Sequence, residues 1–192
     1  SGYSMSSTFG DDINPEMIEY VNSQVDLINN ASRFNVSACN AANSTDVDDV
    51  VESAFEQLNA QNTQFVLMHP PYMDIINFTD KADDLSQIGD LTKFIEKFQV
   101  VCENSLRYLA KDRYFAIVIG DVYKNSEVLP LAFYSMNMIK KHFKVKLKGI
   151  IVKNIEGNRG KIGQNSIWKV RALRSDYFIF KHEYIFVFKK EY

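Results

Sequence analysis

The sequence Phe65-Val66-Leu67-Met68-His69-Pro70-Pro71-Tyr72 joins an apolar run to a rigid loop that ends in an aromatic residue. Four consecutive apolar residues predict a buried β-strand. The two prolines fix the backbone angle φ and lack N–H donors, so the loop is stiff and its carbonyl groups stay available as acceptors. In an open α/β sheet, ligands bind at the carboxyl ends of the strands. The stretch therefore predicts a ligand-binding loop, although two prolines also end strands as simple punctuation.

The rest of the chain alternates between patterns typical of helices and of strands. Helices are predicted to begin near Pro15 and near Pro130, and two more are predicted to be capped by Ser44-Thr45-Asp46 and by Asp90, because apolar residues recur at helical spacing after each of these points. Strands are predicted at residues 34–38, 65–68, 114–119, 145–152 and 184–189, a mobile surface segment at 74–89, and a glycine-bearing loop at 156–180. This alternation predicts an α/β fold in one domain that spans residues 1–192.

Several classes of protein and of site are not expected. No apolar run approaches the roughly 20 residues that a membrane-spanning helix needs, and no segment resembles a signal peptide, so the cytoplasm is the expected location. Cys39 and Cys102 have the spacing of neither a metal site nor a disulfide framework, and both are expected to be buried thiols. Because the three histidines are widely scattered along the chain, we expect no metal site.

Charge is unevenly distributed between the two halves of the chain. Residues 1–100 contain 16 Asp and Glu against 4 Lys and Arg, whereas residues 101–192 contain 8 against 18. A basic surface that includes aromatic residues is typical of nucleic-acid binding, although a solvated lysine-rich strand is the commoner explanation for Lys144, Lys146 and Lys148. The densest basic stretch runs from Lys140 to Arg174. The candidate nucleic-acid contacts in it are Lys153, Arg159, Lys161, Trp168, Lys169, Arg171 and Arg174.

The loop His69-Pro70-Pro71-Tyr72 resembles the catalytic loop of the DNA amino-methyltransferases, in which Asp, Asn or Ser precedes Pro-Pro and an aromatic residue. These enzymes use S-adenosylmethionine to methylate adenine N6 or cytosine N4. Residues 9–16 are similar to the end of that family's second strand, and residues 114–122 and 182–188 are similar to its fifth and last strands. The resemblance covers nearly the whole chain, and it implies a Rossmann-like class I methyltransferase sheet.

The resemblance implies a function for each residue of the site. Asp12 would accept hydrogen bonds from the ribose hydroxyls of S-adenosylmethionine, and Asn40 stands where the family often has an adenine-contacting residue. The side chain at position 69 and the Pro70 carbonyl would hold the amino hydrogens of the target base, and Tyr72 would stack on that base after it leaves the duplex. A protonated imidazole offers no acceptor, so we expect activity to fall at low pH.

The resemblance also implies that the family's first strand and cofactor loop are missing. That loop, a turn which is often rich in glycine, would precede Gly2, and no glycine-rich turn follows Tyr184. In the family's sheet the first strand lies between the strands that lead to Asp12 and to His69. We therefore expect a partial catalytic domain whose sheet is completed by a separate N-terminal polypeptide or by a second copy of the chain.

Three functions remain open at this point. The leading one is a DNA methyltransferase that acts on adenine N6 or cytosine N4. The second is a degenerate nucleic-acid-binding subunit that has lost cofactor binding, and the third is an RNA or protein amino-methyltransferase with the same loop. Cofactor binding distinguishes the first two, and a panel of unmethylated DNA and RNA distinguishes the first from the third.

Overall fold

The computed structural model describes residues 8–12, 14–25, 34–155 and 181–192. These residues form the following strands and α-helices: β1 Thr8–Asp12, α1 Pro15–Val25, β2 Phe34–Ala38, α2 Ser44–Leu58, β3 Thr63–Met68, α3 Leu91–Leu106, β4 Leu109–Ile119, β5 Val122–Lys124, β6 Glu127–Leu129, α4 Leu131–His142, β7 Val145–Asn154 and β8 His182–Lys190. The predicted α/β alternation is confirmed. The short β5–β6 hairpin was not predicted from the sequence.

The strands that position the site form two sheets. β1 and β2 pair in parallel, from Thr8 opposite Phe34 to Asp12 opposite Ala38. The second sheet has the order β3-β4-β8-β7, in which β3 is parallel to β4, and β8 is antiparallel to both of its neighbours. Among the described residues no ladder of hydrogen bonds joins the two sheets. One side of β3 therefore has no pairing strand among these residues and is an open edge of the described sheet.

One face of β3 is exposed, and the prediction of a buried strand was wrong for that face. Val66 and Met68 point to the core, whereas Phe65 and Leu67 are 54% and 61% exposed. An apolar run on both faces is typical of a parallel strand that is covered on both sides. Here the described residues cover only one side, because the other face and the open edge have no packed neighbour.

The main core lies between the helices α3 and α4 and one face of the sheet β3-β4-β8-β7. Phe94 and Phe98 on α3 are fully buried against β4 and β8. Phe115 of β4 stacks on Phe188 of β8, with ring centroids 4.9 Å apart and planes inclined by 14°. This packing fixes the carboxyl end of β4 and the start of β8, which both reach the candidate site.

Two helix starts show which side chains cap them. The Asp90 carboxylate accepts a hydrogen bond from the Lys93 backbone N–H at 2.9 Å, so the prediction that Asp90 caps α3 is confirmed. At α2 the cap is Asn43, whose side-chain oxygen accepts from the Thr45 N–H at 3.0 Å. The prediction that residues 44–46 cap α2 was therefore wrong by one residue. Asparagine is as good an N-cap as aspartate or serine.

The segment 74–89 lies largely on the surface, as predicted, and part of it is ordered by buried residues; its mobility stays a prediction. Asp84 and Ser86 in it are buried. The Asp84 carboxylate accepts hydrogen bonds from the Ser86 backbone N–H at 2.7 Å and from the Thr79 hydroxyl at 2.8 Å. One acidic residue of the segment, Asp84, thus orders the loop.

Cys39 and Cys102 are buried free thiols, as predicted. Within the described ranges, no group of three or more His, Cys, Asp or Glu is placed to hold a metal ion. In the same part of the chain, none of the helices combines the length and the apolar character needed to cross a membrane.

Lys190 closes the carboxyl end of α3. Its side chain is almost fully buried, and Nζ donates to the carbonyl oxygens of Leu106 at 2.8 Å and Leu109 at 2.7 Å. The last carbonyls of a helix have no partner within the helix, so they need a donor from elsewhere. Burial lowers the pKa of Lys190.

Lys190→Met should lower the free energy of unfolding by about 1–3 kcal/mol, because it leaves buried carbonyl groups without a donor while it keeps most of the apolar stem. Urea denaturation of both proteins measures the difference. The matched control is Lys189→Met, which removes an ion pair with Asp112 on the surface and should cost about 0–1 kcal/mol. Equal effects of the two substitutions would contradict the assignment of Lys190 as the helix-closing donor.

Candidate active site

A cleft of about 820 Å³ opens at the carboxyl ends of β1, β2 and β3. Asp12 ends β1, Asn40 follows β2, and residues 69–72 follow β3, and all of them line the cleft. Parallel strands place their carboxyl ends on the same side of a fold, which is where α/β proteins bind ligands. The structure thus brings together the residues predicted for cofactor binding and those predicted for catalysis.

Asp12 and Asn40 lie on one side of the cleft. Asp12 is exposed, and its Oδ1 accepts a hydrogen bond from the Asn14 backbone N–H at 2.7 Å. Its second carboxylate oxygen makes no hydrogen bond to the described residues. The Asn40 side-chain oxygen accepts from the Ala42 N–H at 3.1 Å, which fixes the turn after β2. Both side chains therefore serve local backbone geometry and face the cleft at the same time.

The Tyr72 ring packs closely against the backbone at the end of β4. A Cβ atom added to Gly120 would lie 2.8 Å from Tyr72 Cε2 and 3.3 Å from Cδ2. Real Cβ atoms do not approach other atoms as closely as the shorter of these distances, so only glycine lets the ring occupy this position. Gly120 follows the strand predicted at residues 114–119, and its contact with the loop could not be predicted from the sequence.

A chain of hydrogen bonds connects the loop to β8. The Tyr72 hydroxyl donates to Glu183 Oε2 at 2.6 Å, and His69 Nε2 lies 3.2 Å from the Tyr72 oxygen. Lys153 Nζ donates to Glu183 Oε1 at 2.6 Å from the opposite position of the β7–β8 ladder. Glu183 is only 6% exposed. Sequence reasoning missed it, although a single carboxylate inside an apolar strand was a signal that could have been used.

Tyr72 and Glu183, at the centre of this series of hydrogen bonds, are each held in one protonation state. Burial, followed by the hydrogen bond to the Glu183 carboxylate, raises the pKa of Tyr72 far above its ordinary value, while the Gly120 backbone N–H acts in the opposite direction. Burial also acts to raise the pKa of Glu183, but hydrogen bonds from Lys153 and Tyr72 outweigh it, and the pKa is lowered. Near neutral pH, Tyr72 is therefore a neutral donor and Glu183 an ionised acceptor.

Three large apolar side chains lie exposed along the cleft. Ile75, Ile76 and Phe78 are each between 53% and 61% exposed. Exposed apolar side chains that cluster beside a cleft mark a binding surface more often than isolated ones do. The cleft therefore offers apolar contact beside the polar groups of the loop.

The predicted nucleic-acid contacts are only partly described. Lys153 lies at the cleft and is ion-paired with Glu183. Lys146 and Lys148 are exposed on β7, and Lys144 is exposed just before it. Lys146 pairs with Glu191 at 2.5 Å. The remaining candidates lie outside the described residues, and their assignment stays a prediction: Arg159, Lys161, Trp168, Lys169, Arg171 and Arg174.

No protein-family model and no curated protein sequence matches the chain. Solved structures do match it. An S-adenosylmethionine-dependent methyltransferase from Methanosarcina mazei is 10% identical with a TM-score of 0.51, over 96% of this chain and 82% of that one. The [4+2]-cyclase SpnF is 8% identical with a TM-score of 0.52, over 97% and 67%. A candidate DNA modification methylase from Thermus thermophilus is 19% identical with a TM-score of 0.47, over 69% and 46%.

At these identities the likeness concerns the fold, and the chain spans about half the length of the DNA modification methylase. A shared fold does not fix an activity, as the presence of a cyclase among the similar structures illustrates. The activity has to be argued from the site. The chain has the Rossmann-like α/β fold of the S-adenosylmethionine-dependent methyltransferases.

Proposed function

We propose that this chain carries the catalytic loop of an S-adenosylmethionine-dependent methyltransferase that modifies the exocyclic amino group of adenine (N6) or cytosine (N4) in DNA. The observation that supports this most is the shared cleft, into which the His69-Pro70-Pro71-Tyr72 loop and the side chains of Asp12 and Asn40 all open. The resemblance of the loop to that of the DNA amino-methyltransferases supplies the reaction type.

The cleft suits the cofactor in size and in polar groups. Its volume lies within the roughly 300–1,000 Å³ that is typical of small-molecule sites. Asp12 has a carboxylate oxygen available to accept from ribose hydroxyls, and Asn40 lies beside it. S-adenosylmethionine would supply an electrophilic methyl group there. The residues of this chain would bind and orient the two reactants, and such alignment accounts for much of the rate of a two-substrate reaction.

The loop supplies what an exocyclic amino group needs in order to react. The nitrogen of adenine N6 or cytosine N4 is a poor nucleophile, because its lone pair is delocalised into the ring. Acceptors that hold its two hydrogens favour a tetrahedral nitrogen and stabilise the positive charge that develops during attack. His69 and the Pro70 carbonyl can provide two such acceptors, and the Tyr72 ring offers a face for stacking on a flipped-out base.

A methyl-transfer assay tests this function and separates it from the two alternatives. The sample is the assembly isolated through an affinity tag on this chain, incubated with tritiated S-adenosylmethionine and unmethylated DNA or RNA. We expect label on DNA, at adenine N6 or cytosine N4. Label on RNA alone would favour an RNA amino-methyltransferase, and nucleic-acid binding without cofactor binding would favour a degenerate subunit.

The DNA is expected to contact the part of the basic stretch that follows the carboxyl end of β7. DNA affinity should fall linearly with the logarithm of salt concentration, and neutralising one phosphate-contacting residue should reduce the slope by about one. We expect this effect for Arg159→Gln and Lys161→Gln. The matched control is Lys144→Gln, which lies near the opposite end of β7 and should leave the slope unchanged. Unchanged slopes for both Arg159→Gln and Lys161→Gln would place the DNA elsewhere.

We infer that a strand from a separate polypeptide completes the wall of the cleft between the two sheets. The open edge of β3, together with the exposed Phe65 and Leu67, supports this inference, because unpaired backbone groups and apolar side chains both gain from an added strand. Phe65→Lys combined with Leu67→Lys should release that strand from the tagged assembly, whereas Tyr134→Lys on α4 should not. If the mass measured by sedimentation equals that of two copies of the chain, the added strand comes from a second copy and not from a separate polypeptide.

The purified chain alone should bind S-adenosylmethionine weakly or not at all, because no described strand closes the cleft between the β1–β2 sheet and β3. Isothermal titration calorimetry measures the affinity. Micromolar binding by the isolated chain would contradict the need for an added strand. Binding by the tagged assembly, but not by the chain alone, is the expected result.

A further inference from the structure

We propose that Glu183 is a positioning residue which, through Tyr72, sets the tautomer of His69 so that Nδ1 is the acceptor nitrogen. The inference rests on the proposed function in one respect, because the role of that acceptor is to hold a hydrogen of the target amino group. Its physical content, the position of one proton on His69, can be measured independently of methyl transfer.

The direction of the hydrogen bonds begins at Glu183. An ionised carboxylate accepts hydrogen bonds and cannot donate them. Both oxygens of Glu183 are used, since Oε1 accepts from Lys153 and Oε2 accepts from the Tyr72 hydroxyl, each at 2.6 Å. The carboxylate is buried, so these two donors are what keeps it charged in that position.

Tyr72 passes this direction on to His69. A phenol has one hydrogen, and in this structure it points to Glu183, so towards His69 the Tyr72 oxygen can only accept. His69 Nε2 lies 3.2 Å from that oxygen and must then carry the imidazole hydrogen. A neutral imidazole has a single N–H, which leaves the lone pair on Nδ1. The ring of Tyr72 cannot drift away from this arrangement on its other side, because it rests on Gly120.

The tautomer matters because the two tautomers of His69 would have opposite effects on the substrate. His69 is exposed and lines the cleft, and Nδ1 makes no hydrogen bond to the described residues. With the hydrogen on Nε2, Nδ1 presents a lone pair to an amino hydrogen. With the hydrogen on Nδ1, that nitrogen would present a donor to another donor. A histidine can therefore replace the usual Asp, Asn or Ser of the loop as an acceptor only if its tautomer is controlled.

Nitrogen NMR on the chain labelled with ¹⁵N in its histidines tests the inference at mildly alkaline pH. The three histidines are assigned by single replacements. We expect wild-type His69 to carry its hydrogen on Nε2 in nearly all molecules. Tyr72→Phe removes the acceptor, and the two tautomers should then become mixed. The control variant is Tyr184→Phe, which removes the hydroxyl that lies 3.1 Å from His182 Nε2. It should leave the His69 signals unchanged.

A pair of variants separates the direction of the hydrogen bonds from the ion pair. Glu183→Gln removes the charge and introduces a side chain that can also donate, so the chain of bonds can reverse and His69 should lose its single tautomer. Lys153→Met breaks the same ion pair, but at the mildly alkaline pH of the measurement the remaining carboxylate still accepts from Tyr72, so the Nε2–H tautomer should persist. Circular dichroism verifies that both variants are folded.

Two results would overturn the inference. One is a wild-type His69 with its hydrogen on Nδ1, and the other is an equal change of tautomer in Glu183→Gln and Lys153→Met. Failure of the proposed function has a different signature. In that case the NMR result would be as expected, while the tagged assembly would transfer no methyl group to DNA or RNA.

Discussion

His69→Ala should lower methyl transfer by the tagged assembly roughly 10²–10³-fold, the loss that typically follows removal of one preorganised polar group at a reacting centre. The substitution removes the Nδ1 acceptor, so one hydrogen of the target amino group is no longer held when the nitrogen becomes tetrahedral. The measurement is a single-turnover rate with tritiated S-adenosylmethionine and saturating DNA, because that rate isolates the chemical step from product release.

Two further substitutions sharpen the result for His69. His69→Asn keeps a side-chain acceptor of the kind that the resembling family uses, and it should retain more activity than His69→Ala. His142→Ala, at the end of α4, should leave the rate unchanged. A parental rate for His69→Ala would show that the loop is not catalytic.

Gly120→Ala should lower the same rate on the order of 10²-fold, the cost that a displacement of about 1 Å can have at an active site. The added methyl group would lie 2.8 Å from the Tyr72 ring, so the ring has to move. Movement of the ring breaks its hydrogen bond to Glu183 and its contact with His69, and it also shifts the face that stacks on the base. The rate and the tautomer of His69 should therefore change together.

Gly149→Ala is the matched control for Gly120→Ala, because a Cβ atom at Gly149 meets no atom within 4 Å. Its rate should equal that of the parent. Thermal unfolding of both variants distinguishes a local displacement of the ring from a general loss of stability. A normal rate for a folded Gly120→Ala protein would mean that the position of Tyr72 does not control the reaction.

The features that the sequence predicted well depend on residues close together in the chain. The bounds of β2 and the start of α3 at Asp90 follow from local apolar spacing and from one capping side chain. The shared cleft of Asp12, Asn40 and the loop after β3 agrees with the resemblance, because the carboxyl ends of these strands were expected on one side.

The features that were missed depend on contacts between distant parts of the chain. Glu183 lies 111 residues from Tyr72, and its partner Lys153 is across a ladder whose register the sequence does not specify. The close approach of Gly120 to the Tyr72 ring likewise exists only after β3 and β4 have paired. The exposure of Phe65 and Leu67 was missed because an apolar run indicates that a strand is stabilised by burial, but it does not indicate which residues cover the strand.

If the proposed strand from a separate polypeptide binds the open edge of β3, it also affects how much folded protein the cell contains. A segment that binds only the folded chain stabilises it by mass action, by about 2.7 kcal/mol when the segment is present at 100 times its dissociation constant. Without that segment, the edge is a template for pairing with other exposed strands. The level of functional protein would then be limited by whichever of the two polypeptides is less abundant. Copies of this chain without the added strand would be the first to aggregate or to be degraded.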